Sequence, residues 1–179
     1  NLITPGYYNK PEINATSFTD GWFHTGDAGK IENGILYITD RIKDLFKTSN
    51  GKYIAPQQIE NLLVTDKYID QVAVIGDLRK FVTALIVPDY AAVKDYAEQM
   101  KIEYKDIEDL LNNPKITSLI EGRIANLQEG LAKYEQVKRF KLLPNPFTSD
   151  NGELTLTLKL KRKVINEHYN KEIEYMYSY

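Results

Sequence analysis

Two short apolar runs constrain the fold of this chain more than any other feature of its sequence. They span Val72 to Ile75 and Thr83 to Val87, and they end at Gly76-Asp77 and Pro88-Asp89. Apolar runs of this length, bounded by turn residues, are typical of strands buried in a sheet. Val137 to Leu143 is a third run of the same kind, stopped by a proline-rich loop. The sequence therefore predicts a short sheet with other elements packed on it.

Helical spacing surrounds these predicted strands. Ile59, Leu62 and Leu63 form one apolar face after Pro56, and proline is well placed at a first helical position. A longer helical pattern covers Tyr90 to Leu131 and is broken by an Asn-Asn-Pro sequence. The last helix has an apolar stripe of its own, formed by Ile165, Tyr169, Ile173 and Met176. A short mixed or antiparallel sheet flanked by helices places the chain in the α+β class.

The first forty residues have a different pattern, which predicts short strands and turns. Asn33-Gly34 and Asn50-Gly51 are predicted hairpin turns, because an Asn-Gly pair tolerates the positive φ of a tight turn. A third pair, Asn151-Gly152, is predicted to lead through a short strand into the last helix. We place the boundary between the β-rich start and the compact α+β unit near Asp40-Arg41.

Composition excludes several classes of function. The formal net charge of -2 gives no support to a nucleic-acid partner. The chain has no cysteine, so disulfides and thiolate metal sites are excluded, and its two histidines are far apart, so no metal site is predicted. No apolar run approaches the roughly 20 residues that span a bilayer. The start lacks a signal peptide and an initiator Met, so we expect the chain to begin inside a longer polypeptide.

The sequence from Gly21 to Asp27, Gly-Trp-Phe-His-Thr-Gly-Asp, is the first of four segments that could carry chemistry. Its two glycines have the spacing found in half of a phosphate-binding loop. Such a loop needs a lysine at the position of Asp27, and the Asp27 carboxylate would repel phosphate. An ionised carboxylate is acceptor-only and suits a ribose diol. The alternative is a solvated turn aspartate beside a packed Trp and Phe.

The other three segments are ambiguous when each is taken alone. The charged cluster from Asp40 to Asp44 could simply be solvated side chains at a domain boundary. The segment from Lys47 to Glu60 contains a glycine hairpin, which would allow the backbone to approach a ligand closely, and the alternative is an ordinary strand–turn–helix connection. In the segment from Gly152 to Lys163, threonines and lysines alternate with leucines. A strand there would line one face with hydroxyl and ammonium groups able to reach an anion, and the alternative is a basic face at a helix start.

Together, in this order and at this spacing, the four segments resemble the adenylate-forming superfamily of acyl-CoA synthetases, beetle luciferases and peptide-synthetase adenylation domains. The resemblance covers nearly the whole chain. The last motif, Glu-Leu-Thr-x-Thr-Leu-Lys-Leu-Lys-Arg, is similar to that of the long-chain fatty acid branch, and the long helical stretch after Tyr90 points the same way. Most relatives have a glycine just before the motif's first lysine, where this chain has Leu158.

The resemblance implies a role for each matching residue. Asp27 matches the carboxylate that binds the adenylate ribose, and Arg41 matches the arginine that assists it. Lys43 stands at the hinge position, where other members have Asp or Lys. Lys159 matches the lysine that supports adenylation by contacting the carboxylate and α-phosphate oxygens.

The resemblance implies a second reaction step, in which coenzyme A takes the acyl group, and it assigns this step to a separate loop. Gly51 matches the glycine that lets the pantetheine arm pass, and Lys47 matches a lysine that luciferases use in the alternate conformation. Under this resemblance residues 1–40 are the β-rich end of a large adenylate-binding domain, and residues 41–179 are a mobile C-terminal lid domain. Rotation about Lys43 would present Lys159 first and the Gly51 hairpin second.

The implied reaction is that of a long-chain fatty acid–CoA ligase, a two-step conversion of fatty acid, ATP and coenzyme A to acyl-CoA, AMP and pyrophosphate. The intact enzyme would use ATP with Mg²⁺ and coenzyme A as substrates. The phosphate loop, adenine pocket and acyl tunnel of the family are absent from this sequence, so the chain alone is expected to bind no cofactor and to be inactive. We expect a cytoplasmic location and leave peripheral membrane contact open.

Two other interpretations remain at this stage. An adenylating ligase of the same superfamily could load a carrier protein instead of free coenzyme A. Alternatively, the chain could be a non-catalytic interaction domain that kept this fold, a reading that an intact gene beginning near Asn1 would favour.

Overall fold

The computed structural model describes residues 4–178, apart from the side chain of Asp40. The chain forms two compact units, one ending at Asp44 and the other beginning at Leu45. The domain boundary predicted at residues 40 and 41 stays a prediction. Among the described residues, no helix is both long and apolar enough to cross a membrane.

The first unit is a small assembly of hairpins with one helix. Its elements are α1 (Pro11–Ser17), β1 (Phe18–Thr19), β2 (Trp22–Phe23), β3 (Asp27–Glu32) and β4 (Ile35–Arg41). The predicted turn at Asn33-Gly34 joins β3 to β4, and both residues have positive φ, 52° and 79°. The sequence analysis missed α1, although Pro11 at its first position is a recognisable start signal.

The second unit is built around a three-stranded sheet with the order β7-β8-β9. The pairing of β7 with β8 is antiparallel and that of β8 with β9 is parallel, so the predicted mixed sheet is confirmed. Its strands and helices are β5 (Phe46–Lys47), β6 (Tyr53–Ile54), α2 (Pro56–Leu63), β7 (Ile69–Ile75), β8 (Val82–Pro88), α3 (Tyr90–Gln99), α4 (Ile107–Leu111), α5 (Pro114–Leu127), β9 (Val137–Leu142), α6 (Arg162–His168) and α7 (Asn170–Tyr177).

The central strand β8 is buried along its whole length, and its side chains divide between two apolar clusters. Val82, Ala84 and Ile86 pack with residues of α2, α3, α4 and α5. Leu85 and Val87 pack with residues of α6 and α7. Because alternate strand residues point to opposite faces, helices cover the sheet on both sides. This explains why the strands are near-continuous apolar runs in the sequence.

Side chains cap the starts of helices within the long helical stretch that begins at Tyr90. Asp89 accepts a hydrogen bond from the backbone of Ala92 at the start of α3. Asn113 accepts one from the backbone of Lys115, with Pro114 at the first position of α5. The predicted break at Asn-Asn-Pro is therefore the N-terminus of a helix.

The end of the chain differs from the prediction in two ways. The segment after Gly152 is not a strand: it has one isolated bridge, between Leu154 and Leu160, and is otherwise a loop. The last helix is also divided into α6 and α7 at Tyr169, whose φ of -106° and ψ of 26° interrupt the helix. The predicted apolar stripe still packs inward, with Ile165 and Met176 buried.

Two half-buried tyrosines should make the stability of the fold pH-dependent at the alkaline end. Burial, aided by the nearby Asp70 carboxylate, raises the pKa of Tyr90 to about 12. Burial, aided by the Glu153 carboxylate, raises the pKa of Tyr169 to about 12. An unfolded tyrosine ionises near pH ~10. Between these values the unfolded chain binds fewer protons than the folded chain, so stability falls as pH rises.

We therefore expect the free energy of unfolding to fall steadily above pH ~10, and more gently in the Tyr90→Phe variant. Urea titrations at a series of alkaline pH values measure the slope. Tyr8→Phe is the control, because Tyr8 is 92% exposed and its side chain lies outside the buried core. Equal slopes for the chain and the Tyr90→Phe variant would contradict the expectation.

Candidate functional site

Strand pairing in the first unit brings Asp27 and Arg41 together. The two residues are directly opposite each other in the β3–β4 register, and Arg41 Nε lies 2.8 Å from Asp27 Oδ1. Arg41 also donates to the carbonyl oxygen of Thr25 at 3.2 Å. Gly26, directly before Asp27, has a φ of 75°, a conformation that favours glycine. The Asp27 side chain keeps 24% exposure, so its carboxylate can accept hydrogen bonds from a diol.

The aromatic neighbours of Asp27 do not form the packed cluster that the alternative interpretation requires. Trp22 is 79% exposed. Phe23 stacks on Phe18 with ring centroids 5.0 Å apart, and His24 Nε2 lies 3.0 Å from Thr19 Oγ1.

Lys43 lies in a turn that follows β4. The turn is closed by a hydrogen bond from Asp44 N to Arg41 O at 2.9 Å, and the first unit ends at Asp44. The side chain of Lys43 is exposed. Its role as a hinge stays a prediction.

The hairpin between β5 and β6 carries Gly51 and Lys47. Gly51 has a φ of 79°, and a Cβ there would meet only Lys47 Cε, at 3.7 Å. The glycine is thus needed for its backbone conformation, and the space beside it is open. Lys47 Nζ lies over the ring of Tyr53, 5.5 Å from its centroid. Buried Thr48 closes the turn: its hydroxyl accepts from Lys52 N at 3.2 Å.

Lys159 lies on a tight loop instead of the predicted strand. Thr155 N donates to Lys159 O at 2.8 Å, and Lys159 N donates to Thr155 Oγ1 at 3.0 Å. The hydroxyls of Thr155 and Thr157 also bond each other at 3.0 Å. The threonines therefore close the loop on itself and do not line a strand face. The Lys159 side chain is exposed, and among the described residues its ammonium has no salt bridge.

Leu158 explains why glycine suits the position before this lysine. It has a φ of 59°, in the left-handed region, and its side chain is 74% exposed. A non-glycine residue there costs on the order of 1 kcal/mol. The strained leucine makes few contacts in return.

Replacing Leu158 by glycine should therefore stabilise the chain by up to roughly 0.5 kcal/mol, because the relief of strain exceeds the entropy that glycine adds to the unfolded state. Urea denaturation measures the change in the free energy of unfolding. Leu156→Gly is the matched control: Leu156 is 97% exposed and is not a positive-φ residue, so this variant should lose stability. Equal losses in the two variants would contradict the explanation.

A buried carboxylate holds the base of the lysine loop. Glu153 is 2% exposed, and it accepts hydrogen bonds from Thr148 N at 3.1 Å and shares one with His168 Nδ1 at 3.0 Å. Its backbone oxygen accepts from Lys161 N at 2.7 Å. No role for Glu153 was predicted from the sequence. A glutamate directly after the Asn-Gly turn was its only local signal.

A second buried carboxylate fixes the other side of the loop. Glu60, on α2, receives both guanidinium nitrogens of Arg162, at 2.6 and 2.7 Å. The amide of Val74 donates to Glu60 at 2.8 Å, and Arg162 donates to the carbonyl oxygen of Val74 at 3.2 Å. Arg162 is the first residue of α6, three residues beyond Lys159. The ion pair therefore anchors the loop to α2 and β7.

The chain belongs to the family of AMP-binding enzyme C-terminal domains, whose model matches residues 43–179. The resemblance to the adenylate-forming superfamily is thereby confirmed.

Its relatives by sequence are long-chain-fatty-acid–CoA ligases. It is 35% identical over 179 residues to one from Mycobacterium tuberculosis, an alignment that covers 99% of this chain and 30% of the relative. It is 38% identical over 181 residues to human long-chain-fatty-acid–CoA ligase 1, covering 98% of this chain and 26% of the relative. The chain thus spans less than a third of the length of these proteins.

Solved adenylation domains share the fold. The adenylation domain of the carboxylate reductase of Mycobacterium chelonae superposes with a TM-score of 0.72 at 28% identity, covering 98% of this chain and 26% of that one. The adenylation–carrier didomain of the Segniliparus rugosus carboxylic acid reductase, solved with AMP, also gives 0.72 at 28% identity, covering 97% and 23%. The predicted α+β class is confirmed.

Proposed function

We propose that this chain is the C-terminal portion of a long-chain fatty acid–CoA ligase and that it supplies the adenylation lysine and the CoA-side hairpin. The observation that carries the proposal is the Lys159 loop. It displays the exposed ammonium group of Lys159 on a loop anchored by two buried carboxylates, Glu60 and Glu153. Identities of 35% and 38% to ligases of this type support this reaction class.

In the first half-reaction a carboxylate oxygen of the fatty acid attacks the α-phosphorus of ATP. The bond from that phosphorus to the bridging oxygen of pyrophosphate breaks, and an acyl-adenylate forms. Two anions must approach each other, so a fixed cation near the carboxylate and α-phosphate lowers the barrier. Lys159 supplies that cation, and Mg²⁺ enters with ATP as part of the substrate.

The nucleoside is assigned to the first unit. Asp27 accepts hydrogen bonds from the ribose hydroxyls, and Arg41 holds its carboxylate in place through the 2.8 Å contact.

In the second half-reaction the thiol of coenzyme A attacks the acyl carbonyl carbon. A thioester forms, AMP leaves, and the thiol proton is released. Gly51 leaves open space at the hairpin for the pantetheine arm, and Lys47 lies on the same hairpin. Lys43, in the turn between β4 and Leu45, is the proposed hinge that exchanges the two loops.

A carrier protein is the second candidate acceptor. The solved didomain with the same fold includes a carrier protein, which favours this reading. The higher sequence identity to CoA ligases favours free coenzyme A. A cytoplasmic location, with peripheral membrane contact left open, is part of the proposal.

The test uses the full-length protein that contains this segment, with the isolated chain as a control. We expect fatty-acid-dependent ATP–pyrophosphate exchange and thioester formation with free coenzyme A from the full-length protein, and neither from the isolated chain. Thioester formation only on a phosphopantetheinyl carrier protein would establish the second candidate. Turnover by the isolated chain, or no exchange by the full-length protein, would overturn the proposal.

A further inference from the structure

The CoA-side hairpin has two-residue strands, and much of its support comes from a turn elsewhere in the chain. That turn spans residues 76–81, between β7 and β8. Three hydrogen bonds join it to the hairpin: Leu78 N to Lys47 O at 2.9 Å, Ser49 N to Arg79 O at 2.9 Å, and Asn50 Nδ2 to Lys80 O at 3.4 Å. The position of the hairpin therefore depends on the position of this turn.

Close packing makes the joint between turn and hairpin stiff. A Cβ on Gly76, at the start of the turn, would lie 2.6 Å from Cε2 of Phe46 in β5. The backbone of the turn thus touches the first strand of the hairpin with no room for a methyl group. A shift of the turn would pass directly to the hairpin, because close-packed contacts transmit displacement.

Arg79 connects this turn to the C-terminal helix, α7. Both terminal nitrogens of Arg79 contact the carboxylate of Glu174 in α7. The guanidinium carbon also lies 4.8 Å from the ring centroid of Tyr177. The Tyr177 hydroxyl lies within hydrogen-bonding distance of two carbonyl oxygens, that of Ile75 just before the turn, at 3.3 Å, and that of Phe81 at its end, at 3.0 Å. A cation over an aromatic ring adds to the ion pair and orients the side chain.

We propose that Arg79 is a positioning residue for the thioester-forming half-reaction, because it links helix α7 to the hairpin that carries Lys47 and Gly51. The inference rests on the proposed function. The Lys159 loop is anchored separately, by Glu60 and Glu153. Loss of the Arg79 contacts should therefore affect the second half-reaction and leave the first unchanged.

The test compares Arg79→Met with Lys80→Met in the full-length protein. Lys80 is the next residue of the same turn and its side chain is exposed, so its replacement removes the same charge without the contacts to α7. We expect Arg79→Met to slow thioester formation from supplied acyl-adenylate roughly tenfold, because displaced loops lose catalytic alignment. ATP–pyrophosphate exchange should stay within roughly twofold of the parent, and Lys80→Met should change neither rate.

Two further variants separate positioning from direct contact with coenzyme A. Arg79→Lys keeps a cation over the Tyr177 ring and should recover part of the rate, whereas Glu174→Gln keeps the arginine and should slow the same half-reaction. A defect in Arg79→Met that is absent in Glu174→Gln would overturn the proposal, since Arg79 would then act on the substrate. An equal fall of both half-reactions would overturn it in favour of a general structural role.

Amide hydrogen exchange tests the mechanical link without any enzyme assay. In Arg79→Met, the amides of Ser49 and Gly51, which bond Arg79 O and Thr48 O, should exchange several-fold faster than in the parent. Unchanged exchange would overturn the positioning proposal even if the ligase activity is established. Faster exchange in a protein without ligase activity would support the link and refute only the proposed function.

Discussion

Replacing Lys159 by alanine is expected to lower fatty-acid-dependent ATP–pyrophosphate exchange by about 10²–10³-fold in the full-length protein, the usual effect of losing one preorganised group that meets developing charge. The lysine is exposed and has no salt bridge among the described residues, so its ammonium group is accessible to a ligand. Thioester formation from supplied acyl-adenylate should survive, because that step is assigned to the other loop.

Lys161→Ala is the matched control for this variant. It removes the same charge two residues away, and it leaves the backbone bond from Lys161 N to Glu153 O intact. We expect a small effect on both half-reactions. If Lys159→Ala leaves both half-reactions unchanged, the assignment of Lys159 is wrong and Lys161 becomes the better candidate.

Replacing Glu60 by alanine is expected to lower the free energy of unfolding by roughly 3–5 kcal/mol, because it leaves a partly buried guanidinium without its partner. Glu60 is 7% exposed and accepts hydrogen bonds from Arg162 and from Val74 N. Both donors lose their acceptor in the variant. Urea denaturation of the chain, followed by circular dichroism, measures the loss.

The double variant Glu60→Leu with Arg162→Met distinguishes an unpaired charge from lost packing. Apolar replacement of both partners of a buried ion pair is often close to neutral, so most of the stability should return. Glu32→Ala provides the comparison for an exposed ion pair, with Lys30, and should cost only about 0–1 kcal/mol. A Glu60→Ala loss as small as that of Glu32→Ala would contradict the expected burial effect.

Local sequence signals predicted much of the fold. The two Asn-Gly hairpins, the strands β7 and β8, and the start of α2 at Pro56 all follow from turn chemistry and apolar spacing. These features are decided by neighbours in sequence, which is why patterns predict them. The pairing of Asp27 with Arg41 does not follow from the turn alone, because a register shift between Ala28 and Gly29 moves Asp27 from opposite Asp40 to opposite Arg41.

The lysine loop could not be predicted in the same way. Alternating threonines and leucines are typical of a strand, but the hydroxyls of Thr155 and Thr157 bond within the segment and close it into a loop. The anchors of the loop are long-range: Glu60 and Arg162 are 102 residues apart. Contacts at this separation leave no periodic signal in a single sequence. The positive φ of Leu158 was likewise invisible, because leucine rarely adopts it.

The ion pair between Glu60 and Arg162 also covers part of an edge of the sheet. Strand β7 is an outer strand of the β7-β8-β9 sheet, and Val74 lies within it. The amide of Val74 donates to the Glu60 carboxylate at 2.8 Å, and the carbonyl oxygen of Val74 accepts from Arg162 at 3.2 Å. An outer strand with unpaired backbone groups is a template for adding a strand from another molecule. The charged pair occupies this position of the edge, so we expect the residues that hold the lysine loop also to disfavour strand addition at Val74.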